Sequence, residues 1–150
     1  MIASSLLLLA AAGCGGYGGG SKKSEEGTTT TIAGTAAESH GTKDVSGETG
    51  KVEIELYDNY FEPTVLKGKP GQKVELELKN EGKAAHTFTL SEQSVDKEIQ
   101  PGDETETKVT FPQTGELKFV CKFHQSSGMI GALQVGSSSG PSTSTSDSKY

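Results

Sequence analysis

A chain of 150 residues with glycine- and serine-rich ends has room for one small hydrophobic core and excludes a multidomain assembly. Its 14 basic residues are all lysines, set against 20 acidic ones for a net charge of −6. The bidentate arginine contacts favoured by readers of phosphate and guanine are therefore missing, nucleic acid is not an expected partner, and the acidic excess reads as surface solvation.

From the N-terminus, Leu6 to Leu9 and Ala10 to Ala12 form an apolar run that ends in Ala-Ala-Gly-Cys at Cys14. The run is too short to span a bilayer. It resembles the hydrophobic segment and lipobox of a bacterial lipoprotein signal. That resemblance implies a signal peptide over 1–13, lipidation of Cys14 as the first mature residue, and an exported domain tethered to the cell membrane. Ala11 stands where leucine is usual, and the first basic residue, Lys22, follows the run instead of preceding it. A plain cleaved secretory signal is the alternative, and it too exports the domain.

Residues 14–50 are Gly, Ser, Thr, Glu and Lys with almost no large apolar side chain, a composition that does not offset the entropy of ordering a chain, so a flexible linker is expected there. The tail over 137–150 reads the same way. Between them the pattern turns to period two. Val52, Ile54 and Leu56 alternate with Glu53 and Glu55, and Val74, Leu76 and Leu78 alternate with Glu75 and Glu77, as half-buried strands do. Further strands are predicted at 86–90, 104–111, 116–121 and 129–135, with a less regular run at 60–67; the stretch 91–100 is ambiguous and has room for a helical turn. Turn signals at Gly68-Lys69-Pro70-Gly71, Asn80-Glu81-Gly82-Lys83, Pro101-Gly102-Asp103 and Pro112-Gln113-Thr114-Gly115 separate them. Short strands at this spacing predict an antiparallel β-sandwich over 51–136.

Within 51–136 stand one cysteine, one methionine and two histidines; His40 falls in the predicted linker. Two imidazoles and a thiolate with a weak axial thioether are the donor set of blue-copper sites. Strand phase places His86 with Phe88 and Leu90, Cys121 with Leu117 and Phe119, and Met129 with Leu133 and Val135, all pointing inward. The short connection from Cys121 to Met129 carries His124 to the same pole. Taken singly, a cysteine and a methionine on core faces are packing residues. An inward-facing histidine, however, needs partners for its ring nitrogens, and the conjunction points to one bound copper ion.

The segment Val120-Cys121-Lys122-Phe123-His124-Gln125-Ser126-Ser127-Gly128-Met129-Ile130-Gly131 resembles the copper loop of the plastocyanin-like cupredoxins. Phe61-Glu62-Pro63, Gly71, Asn80 and His86-Thr87-Phe88 resemble the approach to the first histidine in the same family. The resemblance implies an all-β, cupredoxin-like Greek-key β-sandwich of about seven to eight strands holding a type 1 copper ion through His86, Cys121, His124 and Met129. Val120, Phe123 and Thr87 stand where relatives carry tyrosine, proline and asparagine, so no specific partner is transferred.

The function this implies is one-electron transfer with redox partner proteins outside the cytoplasm, by a monomer without catalytic residues. An edge of His124 is expected at the surface beside Phe123 and Ile130, as the electron port. Enzymes with several copper centres need histidines beyond His40, and a binuclear centre needs a second cysteine where Gln125 stands. A copper carrier or storage protein of the same fold is the rival reading.

Overall fold

The computed structural model describes residues 28–136. The expected signal peptide, Cys14 and the C-terminal tail lie outside the described residues.

Twelve strands run through the described residues: β1 (Thr28–Ile32), β2 (Thr35–Ser39), β3 (Thr42–Asp44), β4 (Lys51–Tyr57), β5 (Tyr60–Glu62), β6 (Val65–Gly68), β7 (Lys73–Asn80), β8 (His86–Leu90), β9 (Val95–Ile99), β10 (Glu104–Thr110), β11 (Glu116–Val120) and β12 (Ile130–Val135). They form a sheet of order β10-β7-β4-β5, a second of order β3-β6-β12-β11-β8-β9, and a β1-β2 hairpin. The fold is an all-β sandwich, as the sequence predicts. The alternating residues of β4 and β7 turn their apolar side chains into it, and they meet Phe61, Phe88, Phe119, Leu133 and Val135 in one shared core.

Three features depart from the sequence reading. Among the described residues, 28–44 of the expected linker over 14–50 hold β1, β2 and β3, and residues 14–27 lie outside the described residues. The reason lies in β6 and β12, which are buried on both faces. Leu66 and Leu133 point into the main core, whereas Val65, Ile130 and Ala132 point the other way. The hairpin covers that second face with Ile32 and Ala37, two isolated apolar residues in a threonine-rich segment that carry no periodic signal of their own. Val45, fully buried in the main core, then closes the edge, its N–H donating to the Lys67 carbonyl at 2.7 Å.

The strand number is also higher than seven or eight. The irregular run at 60–67 splits at Pro63-Thr64 into β5 and β6, which join different sheets. The ambiguous stretch 91–100 holds both a short 3-10 turn at Ser91–Gln93 and β9. Finally, the sandwich is not purely antiparallel, because β4 pairs parallel to β7, and β6 pairs parallel to both β12 and β3. Side-chain alternation reports which face is buried and says nothing about strand direction.

Candidate metal centre

β11 ends at Val120, so Cys121 is the first residue past it, fully buried in phase with Phe119. The chain then closes a tight loop on itself before β12 starts. The Cys121 N–H donates to the Met129 carbonyl at 3.1 Å, and the Met129 N–H donates to the His124 carbonyl at 3.2 Å. A 3-10 turn at Gln125–Ser127 fills the loop and is ended by Gly128, whose φ of 92° is the left-handed conformation that glycine adopts without a Cβ penalty. The loop thus holds His124 beside Cys121 through backbone hydrogen bonds, including the His124 N–H to the Cys121 carbonyl at 3.2 Å.

His86 begins β8 and is fully buried. Its Nδ1 lies 3.8 Å from the Cys121 sulfur and 3.2 Å from Nδ1 of His124, which is itself 3.6 Å from the sulfur. A metal with imidazole nitrogens at ~2.0 Å and a thiolate at ~2.3 Å in one trigonal plane separates nitrogen from sulfur by about 3.7 Å and nitrogen from nitrogen by about 3.5 Å. The three donors stand close to those separations, so the residues present fit a single ion between them. Met129 is fully buried next to this triangle, its backbone bonded to both Cys121 and His124. Burial foremost pushes the His86 imidazole below its ordinary pKa, with nearby Asp58 opposing, which favours the neutral ring a metal requires.

Residues 28–133 match the family model described as Cupredoxin-like domain. The chain belongs to that family. The copper-resistant cuproprotein CopI of Pseudomonas aeruginosa is 41% identical over 49 residues, 33% of this chain and 27% of the relative's own length. Among solved structures, the metal-binding domain of the Cu(I)-exporting P-type ATPase CopA of Streptococcus pneumoniae matches with a TM-score of 0.52 at 17% identity, over 64% of this chain and 96% of that one. Dithionite-reduced auracyanin from Roseiflexus castenholzii matches with a TM-score of 0.50 at 19% identity, over 60% and 99% of the two chains. At these identities the two structures establish the fold.

In this cupredoxin-like domain the surroundings of the triangle are as ordered as the triangle itself. The Thr87 N–H donates to the Cys121 sulfur at 3.4 Å, and the Thr87 hydroxyl accepts the Lys122 N–H at 2.8 Å, so β8 and the loop are tied on both sides of the thiol. Thr87 therefore bridges β8 and the loop through both its backbone N–H and its hydroxyl. Asn80, fully buried, donates to the carbonyls of Ala84 and Ile99 at 2.8 Å each and accepts the Gly82 N–H at 2.9 Å, which shapes the segment leading into His86.

The structure brings together His86, Cys121 and His124, with Met129 adjacent. Phe123 is 52% exposed, but Ile130 is buried under the hairpin, so the surface beside His124 lacks the second apolar neighbour expected from the sequence. His40 stays away from the centre, stacked on Tyr60 at 3.5 Å between ring centroids and bonded to Glu38 at 3.2 Å. Asp58 escaped the sequence reading. Its Oδ1 lies 3.2 Å from Nε2 of His86, and its only local signal is the Asp58-Asn59 turn dipeptide between β4 and β5.

Proposed function

We propose that this protein is a type 1 copper electron carrier working outside the cytoplasm, in which Cys121, His86, His124 and Met129 would hold the ion and a lipid on Cys14 would tether the chain to the membrane. The observation that carries the reading is the His86–Cys121–His124 triangle, all of whose donor atoms lie within 4.8 Å of one another. A bound copper ion supplies a one-electron couple. The chain's part is to keep the donor geometry nearly constant as the charge changes, and the doubly tied loop and the Thr87 bonds are built for that. No helix among the described residues is long and apolar enough to cross a membrane.

The test is to load the purified chain with copper(II) and record the visible spectrum and electron paramagnetic resonance. A blue protein with a narrow copper hyperfine splitting, cycling reversibly by one electron without losing metal, is the expected result; a colourless product would end the reading. The likeness to a copper-resistant cuproprotein favours a second reading, copper carriage or storage. It predicts metal release on reduction or transfer to an acceptor, where the electron carrier retains its ion in both states.

Phe123 is the exposed large apolar side chain of the described residues, one residue from His124. In this reading the Phe123 side chain, beside half-buried His124, would form the face on which redox partners dock. Phe123→Glu is expected to leave the visible spectrum unchanged. It should also slow electron self-exchange, read from NMR line broadening in mixed oxidised and reduced protein, by about tenfold, the effect of ~1.4 kcal/mol of like-charge repulsion. An unchanged exchange rate would move the electron port elsewhere.

A further inference from the structure

His86 offers its two ring nitrogens to opposite sides. Nδ1 faces the Cys121 sulfur and His124, while Nε2 faces Asp58 Oδ1 at 3.2 Å. A neutral imidazole carries one proton, and an ionised carboxylate only accepts. The proton therefore sits on Nε2 and donates to Asp58, which leaves the Nδ1 lone pair aimed at the site. Nδ1 of His124, 3.2 Å away, is then the donor between the two rings in the metal-free protein.

Asp58 is itself held in place. It lies in the two-residue turn between β4 and β5, flanked by the Tyr57–Tyr60 pair. The same Oδ1 accepts the N–H groups of Lys83 at 2.9 Å and Ala84 at 3.3 Å, so this carboxylate, together with Asn80, fixes the segment that delivers His86 to β8. Gly82 passes so near that a Cβ there would stand 2.6 Å from Asp58 Oδ1 and 2.8 Å from His86 Nε2. The close approach explains a glycine at this position. His86 is fully buried whereas the Asp58 side chain is 44% exposed, so the pair runs from the site to the surface.

We propose that Asp58 is a positioning residue of the metal centre, holding His86 in its Nε2-protonated tautomer and setting a carboxylate charge behind the ligand. Outer carboxylates on ligating histidines fix ring orientation and raise basicity. A more basic ligand with negative charge behind it favours the more highly charged copper(II), which lowers the reduction potential.

This inference rests on the copper reading above, and the first arm of its test does not. In the metal-free full chain at about pH 8, where imidazoles are neutral, two-bond 15N–1H correlation NMR is expected to show His86 protonated on Nε2 and His124 on Nδ1. In Asp58→Ala, His86 should become a tautomer mixture. A wild-type His86 protonated on Nδ1 would overturn the proposal, with or without copper binding. In the second arm Asp58→Ala should bind copper(II) about 10- to 100-fold more weakly. Asp58→Asn keeps an oxygen for Lys83, Ala84 and His86 while removing the charge, and it should keep the tautomer and raise the potential measured by voltammetry. Unchanged affinity in the first variant, or an unchanged potential in the second, sinks the proposal. If Asp58→Ala does not fold, Asp58→Asn decides. A wild-type chain that takes up no copper but shows the expected tautomers would instead fault the copper reading.

Discussion

Cys121→Ser is expected to abolish the blue colour and the copper-dependent stabilisation together. A serine hydroxyl is neutral at pH 7 and hard, whereas in the proposed site the soft thiolate would be both the charge-transfer partner that gives the colour and the ligand that selects copper. At free copper about 1,000 times above the dissociation constant, binding to the native state alone should stabilise the wild-type chain by ~4.1 kcal/mol, and a variant that no longer binds should gain almost none. The metal-free fold should survive, because the Thr87 N–H that donates to the Cys121 sulfur at 3.4 Å can donate to a hydroxyl instead. Thermal unfolding with and without copper reads both effects at once. Met129→Leu provides the contrast. Replacing the thioether, the weak ligand of the proposed site, by an apolar side chain of similar volume should leave the metal bound and the colour present while changing the reduction potential. Retention of colour by Cys121→Ser would remove the thiolate from the centre and with it the type 1 assignment.

The second large effect is expected in the core that carries the Cys121–Met129 loop. Phe119 is fully buried two residues before Cys121, edge-on to Phe61 at 5.0 Å between centroids and tilted against Phe88 at 4.7 Å. It faces Gly131 across the β11–β12 pair, and the ring lies over that glycine so closely that a Cβ there would stand 2.2 Å from two ring carbons and 2.7 Å from the Thr64 carbonyl oxygen. Phe119→Ala is expected to destabilise the domain by ~3–5 kcal/mol through lost burial and the cavity left behind. Gly131→Ala should destabilise by ~1–3 kcal/mol through overpacking. In the double variant the methyl group added at Gly131 occupies space the ring has vacated, so the combined loss should fall short of the sum of the two, with a coupling of ~0.5–3 kcal/mol. Urea unfolding of the four proteins measures the cycle. Simple additivity would mean that the ring does not set the β11–β12 approach.

The candidate site was largely legible in the sequence because its donors are scarce and their spacing is local. Cys121, His124 and Met129 share one loop, and strand phase alone turned His86 inward with Phe88 and Leu90. Asp58 was not legible. An aspartate in a two-residue turn is ordinary, and only the folding of the 81–85 segment over that turn brings its carboxylate to His86. The N-terminal strands were missed for a related reason. Ile32 and Ala37 are buried by what β6 and β12 expose on their second face, and neither residue carries a pattern that a window of sequence can reveal.

The sequence by itself determined an all-β sandwich, the apolar faces of β4 and β7, and a soft donor set at one pole, since composition, period-two alternation and short spacings are properties of neighbouring residues. Tertiary structure decided the parallel pairings of β4 with β7 and of β6 with β12, the recruitment of residues 28–45 into the fold, and the carboxylate behind His86. Each of these depends on which distant surfaces meet, because strand direction, the burial of a second sheet face and the partner of an inward ring nitrogen arise only when separated segments pack.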